Sequence, residues 1–121
     1  MKLSAGVDIT EIDRIRKSLQ SAHFARRVFS AAEREYFEGK ADPASSAAAD
    51  FAAKEAFSKA LGTGVRGFSL CEVEALRDEQ GAPYFRFSGR AAEIVSQRGA
   101  QFSLSLTHTD KIACAFVIMY G

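Results

Sequence analysis

The stretch Ala47–Leu61 constrains the fold more than any other part of this sequence. Ala, Phe and Lys dominate it and it stops at Gly62-Thr63-Gly64, so it predicts a helix closed by a glycine C-cap. Phe51, Ala52, Ala56, Phe57, Ala60 and Leu61 leave little of that helix polar. A helix apolar on most sides has to be covered on most sides, which makes it central. The cover must come from the rest of a 121-residue chain, and that is the length of one ordinary domain, spanning residues 1–121.

The flanking patterns supply the cover. Leu3–Val7 is short and mostly apolar, ends on Asp8, and is followed by Ile12, Ile15 and Leu19 at helical spacing, which predicts a strand and then a helix. Thr10 as N-cap with Asp13 three residues on resembles a capping box, which would put Asp8 at the strand's end beside a helix start. Ser30 and Glu33 make a second box before Tyr36 and Phe37, and Asp42-Pro43 marks a loop or a helix start. Ser69–Leu76 and Tyr84–Phe87 flank Asp78-Glu79-Gln80-Gly81 as a hairpin would, and Gly89–Arg98 reads as a short helix. Phe102, Leu104 and Leu106 alternate with Ser103, Ser105 and Thr107 in a half-buried strand, and Ile112–Met119 is the partner that completes its sheet. Strands and helices mix without a regular βαβ alternation, so the class is α+β: an antiparallel-rich sheet against a long central helix and shorter ones.

Charge and cysteine usage exclude several partners. Sixteen basic against fifteen acidic residues leave a net charge of +1, so no global field favours nucleic acid or a membrane surface. Asp8, Glu11 and Asp13 interrupt any N-terminal apolar run before it could serve as a signal or a span. Cys71 and Cys114 form no Cys-x-x-Cys pair and read as reduced thiols of a cytoplasmic protein.

Three groups could carry chemistry. Asp8 is one. Glu55 and Lys59 on the long helix are the second: at i,i+4 they suit a surface ion pair worth about 0.2–0.5 kcal/mol. Their apolar neighbours favour a different use, because a charge beside packed surface needs a partner. Mg2+ takes one or two carboxylates plus substrate phosphates, a role open to Asp8 and Glu55, with Lys59 left to meet phosphate. Gly62 and Gly64 would let backbone approach such a phosphate, although a C-cap explains them equally well. The third group is His108, whose parity with Phe102, Leu104 and Leu106 favours a histidine packed at the edge of the core. Arg14, Arg16, Lys17, Arg26 and Arg27 form a basic segment without an acid from Arg14 to Arg27. With Phe24 and Val28 interleaved, that segment suits an acidic amphipathic helix of a partner.

Taken together, Gly6-Val7-Asp8-Ile9-Thr10-Glu11-Ile12-Asp13-Arg14-Ile15, the stretch from Phe51 to Gly64 and the strand end Phe102–Thr109 resemble the three motifs of one family in its order. That family is the bacterial holo-acyl-carrier-protein synthase group of 4'-phosphopantetheinyl transferases, small α+β homotrimers with active sites between subunits. The resemblance implies transfer of the 4'-phosphopantetheine arm of coenzyme A to a serine of an apo acyl carrier protein. It implies Asp8 and Glu55 as magnesium ligands and Lys59 near the coenzyme A phosphates. Ser58, Gly62, Gly64, His108 and Thr109 fall in its coenzyme A site, and Arg14, Phe24 and Arg27 on the surface that meets the carrier. Two departures stand out: Thr107 precedes His108 where a serine is commoner, and Asp50 replaces a frequent arginine, removing a cation expected to recognise a nucleotide phosphate. Glu55 acting through a water, or more weakly Glu33, would take the serine proton. A non-catalytic module that binds the carrier or coenzyme A is the alternative, and it would not need both Asp8 and Glu55.

Overall fold

The computed structural model describes residues 2–121. In chain order these are β1 (Leu3–Glu11), α1 (Ile12–Ser18), α2 (Ala22–Val28), α3 (Ala31–Glu38), α4 (Pro43–Leu61), a single 3-10 turn (Leu70–Glu72), β2 (Val73–Arg77), β3 (Pro83–Phe87), α5 (Gly89–Arg98), β4 (Gln101–His108) and β5 (Ile112–Tyr120). The strands form an antiparallel sheet β1-β5-β4 and a two-stranded ribbon β2-β3, and α4 packs on both, so the α+β class holds.

The long helix is central, as its composition requires. Ala52, Ala53, Ala56 and Ala60 pack on Ala115 and Val117 of β5, and the small side chains on both surfaces bring helix and sheet close together. Gly6 takes this furthest. A Cβ there would collide with the Ala56 carbonyl oxygen and lie 2.8 Å from the Ala60 amide nitrogen, so only glycine permits β1 to lie this close to α4. Ser4 ties the same contact by donating to the Ala60 carbonyl at 2.6 Å. At the helix's C-terminal end, Phe57 is fully buried among Phe68, Phe85, Phe87 and Phe102, with ring centroids 5.0–5.6 Å apart. Gly62 closes the helix in the left-handed region at φ 88°.

Several boundaries differ from the sequence expectation for identifiable reasons. Thr10 caps no helix: β1 runs on to Glu11 because it pairs with β5 along its whole length, Thr10 opposite Ala113. Glu11 becomes the cap residue of α1 and makes no side-chain cap bond. The basic segment is two helices, since Ser21 accepts from the Phe24 amide and starts α2 afresh. Asp42 caps α4 through the Ala44 amide with Pro43 in the first turn, so the helix begins before Ala47. Ser69–Glu72 is not strand, because the Glu72 carboxylate accepts from the Ser69 and Ala91 amides and holds a tight turn there. The Ser30–Glu33 box, the β2-β3 hairpin, α5 and the β4-β5 pair fall where the sequence puts them.

Candidate active site

Asp8 lies within β1, on the face shared with Gly6 and Thr10 that meets α4. The buried Thr10 hydroxyl donates to Asp8 Oδ2 at 2.9 Å and fixes the carboxylate's direction. Lys59 reaches across from α4, its Nζ 2.9 Å from the Val7 carbonyl and 3.3 Å from Asp8 Oδ1. The lysine therefore pairs with the strand and forms no i,i+4 bridge to Glu55. Its side chain is 54% exposed, so it can be drawn toward a phosphate without breaking packing.

Glu55 completes the cluster. Burial is the first cause that raises its pKa above the usual carboxylate range, and the nearby Asp8 charge is the second, with Lys59 and Arg14 opposing both. Asp8 and Glu55 are thus close enough to repel, and among the described residues no side-chain donor bonds the Glu55 carboxylate. Two facing carboxylates with no third His, Cys, Asp or Glu beside them are a hard, oxygen-only and incomplete donor set. Such a set fits magnesium, which leaves several positions to water and substrate phosphate, and does not fit zinc.

The other sequence-selected residues are distributed around this pair. Ser58 is buried and donates to the Glu55 carbonyl at 2.7 Å, so its hydroxyl is taken up by its own helix. Gly62 and Gly64 are exposed in the loop that follows α4. Thr109 Oγ1 accepts from the Lys111 and Ile112 amides at 3.1 Å and holds the β4-β5 turn. His108 is exposed, not packed at the core edge, with Nδ1 3.1 Å from the Thr109 carbonyl. It lines a cleft with Tyr36, Lys40, Ser45, Ser46 and Arg77 to which Asp8, Glu55 and Lys59 do not contribute. One subunit therefore does not bring His108 together with the carboxylate pair.

Phe24 and Arg27 line a mostly apolar groove with His23, Val28, Phe51 and Leu70. Arg14 lies over the Phe51 ring at 5.5 Å and also acts on Glu55, which links this groove to the carboxylate pair. Arg16 is not free for a partner: it bonds Asp13, and Asp42 at 2.9 Å.

Two buried networks were not foreseen. Lys54, next to Glu55, is fully buried and donates to Glu33 at 2.7 Å and to the Leu70 and Val73 carbonyls at 3.0 and 2.6 Å. Glu33 also accepts from the Ser30 and Ala75 amides, so both its oxygens are engaged and it is removed as a candidate base. The signal available in the sequence was a lysine whose helical neighbours are nearly all apolar. Asp50, the departure from the family pattern, is buried and accepts from Arg77 at 2.8 Å.

Comparison with known proteins bears on the family and the fold. The model of the 4'-phosphopantetheinyl transferase superfamily matches residues 4–117. A holo-[acyl-carrier-protein] synthase of Treponema denticola is 42% identical, with all of both chains covered. The crystal structure of that synthase from Neisseria meningitidis superposes with a TM-score of 0.89 at 32% identity, over 98% of each chain. The Helicobacter pylori synthase in complex with coenzyme A gives 0.83 at 31%, over 96% of this chain and 99% of its own.

Proposed function

The chain belongs to the 4'-phosphopantetheinyl transferase superfamily, and we propose that Asp8 and Glu55 are the magnesium site at which it transfers the 4'-phosphopantetheine arm of coenzyme A to a serine of an apo acyl carrier protein. The observation that carries this reading is the carboxylate pair with Lys59 beside it across the β1–α4 contact. Magnesium, when bound, supplies Lewis-acid polarisation of the pyrophosphate and offsets charge on the leaving group. Lys59 is free to exchange Asp8 for a pyrophosphate oxygen, a contact of point charge to phosphate. The serine oxygen attacks the β-phosphorus, its bond to the bridging oxygen breaks, and adenosine 3',5'-bisphosphate leaves. Glu55, held more basic by burial, is suited to take the serine proton through an intervening water.

The same reading extends to assembly and partners. Leu3, Val7 and Ile9 of β1 and Phe116 of β5 are 69%, 51%, 63% and 45% exposed on the sheet face turned away from α4. An apolar face of this kind supports a homotrimer packed through the sheet, with His108 of one subunit completing the site of the next. Arg14, Phe24 and Arg27 would receive an acidic helix of the carrier. No helix among the described residues is long and apolar enough to cross a membrane, and with both thiols free we place the enzyme in the cytoplasm. A binding module without catalysis would leave the facing carboxylates without a use.

Mass spectrometry of an apo carrier protein incubated with the enzyme, coenzyme A and magnesium tests the proposal. A phosphopantetheine adduct that disappears with chelator is expected, and no adduct under any metal condition would overturn it.

A further inference from the structure

Arg14 reaches the carboxylate pair from α1, which packs on α4. Its Cζ lies 5.5 Å from the centroid of the Phe51 ring, and Phe51 is one turn before Glu55 on the same face of α4. Phe51 is also a wall of the groove that Phe24 and Arg27 line. One guanidinium therefore stands between the groove and the carboxylate pair. It is exposed and enters no ion pair among the described residues. What holds its charge is an aromatic face and the field of Glu55.

The cluster in this state is balanced, with Asp8 and Glu55 set against Lys59 and Arg14. Burial and then Asp8 push the Glu55 carboxyl up, and Lys59 and Arg14 are the two charges that oppose them. A divalent cation joining the pair adds positive charge to a group of side chains already neutral, so both basic residues repel it. Lys59 has an outlet in the pyrophosphate of coenzyme A. Arg14 lies on the groove side, where the anion that can receive it is an acid of the carrier.

We propose that Arg14 links the groove to the metal site: an acidic residue of the docked carrier takes its charge, and magnesium then binds more tightly at Asp8 and Glu55. This rests on the magnesium and carrier readings given above and adds to them a coupling between the two sites. Such a coupling is reciprocal, so magnesium tightens carrier binding by the same factor. The metal site is thus held most firmly when the acceptor serine is at hand. Arg27 has no part in the coupling, because it lines the groove and is not among the charges that act on Glu55.

Titration calorimetry of the whole enzyme with magnesium chloride, in the absence of coenzyme A, tests the coupling. It is run without carrier and with saturating apo carrier whose acceptor serine is replaced by alanine, and the heat of magnesium on the carrier alone is subtracted. Saturating carrier is expected to tighten magnesium binding about fivefold or more, the lower range of a coupling between sites. Arg14→Met keeps the packing on Phe51 and removes the charge. This variant should bind magnesium more tightly than the wild type when carrier is absent, and carrier should then change its affinity by less than about twofold. Arg27→Met should need more carrier to reach saturation and keep the wild-type factor. Magnesium affinity that carrier leaves unchanged, a factor retained in Arg14→Met, or weaker magnesium binding by Arg14→Met alone would overturn the inference. A wild type that binds no magnesium, or no carrier, would overturn the proposed function and the inference with it.

Discussion

Lys54 and Glu55 are neighbours on α4 and face opposite fates. Lys54 turns inward, where Glu33 and two carbonyls satisfy all three of its donors. Glu55 turns toward Asp8, a like charge, with no donor on its carboxylate. The first network is closed and has no capacity for a substrate. The second is unfinished, and a hard cation with phosphate oxygens is what completes it. The difference is polar satisfaction rather than residue type, since each region combines a lysine on α4 with a carboxylate from another element.

The widest test of that contrast exchanges the consequences of mutation. Glu55→Ala should lower transfer by roughly a hundredfold or more while the denaturation midpoint hardly moves, because the removed group is one that Asp8 repels. Lys54→Ala should do the opposite, costing about 3–5 kcal/mol by leaving Glu33 buried and unpaired. Urea unfolding and turnover measured on both variants decide it. A Glu55 variant that is inactive only because it is unfolded, or a Lys54 variant of normal stability, would erase the distinction.

Gly6 sets the spacing of the second region and predicts an intermediate effect. A methyl group at this position meets the α4 backbone, so Gly6→Ala must push β1 outward and carry Asp8 away from Glu55 and Lys59. The expected cost is about 1–3 kcal/mol of stability, with a loss of turnover that added magnesium only partly restores. Metal-dependent kinetics check this, and unchanged magnesium dependence would mean that the strand–helix spacing does not set the site.

The sequence made the central helix, the capping box at Ser30, the hairpin and the alternating β4 legible because each is dictated by local periodicity or turn chemistry. The chemistry of two carboxylates made Asp8 and Glu55 a possible metal pair and the motif resemblance joined them, since nothing in their spacing says that β1 lies on α4. Thr10 was misread because strand pairing over the whole of β1 outweighed a local cap. The Lys54–Glu33 and Asp50–Arg77 pairs span 21 and 27 residues, and such pairings are set by tertiary packing that no window of sequence contains. His108 was placed by parity at the core edge, but parity gives the face of a strand and not what covers it.

The smallest expected effect concerns the groove beside the site. Arg27 lines it with Phe24, and its charge is not matched by any ion pair among the described residues, whereas Arg16 is bound by Asp13 and Asp42. Arg27→Glu should therefore raise the KM for carrier protein several-fold and leave the KM for coenzyme A unchanged, because long-range attraction sets the encounter rate more than the final contacts. Arg14 should behave differently despite belonging to the same basic segment. It acts on Glu55 as well as on the groove, so Arg14→Ala should alter kcat together with the carrier KM. Salt should imitate Arg27→Glu alone, since at about 0.15 M the screening length is about 8 Å and an exposed rim charge loses its reach first. Equal kinetic responses of the two variants would show that the groove and the carboxylate pair act as one surface.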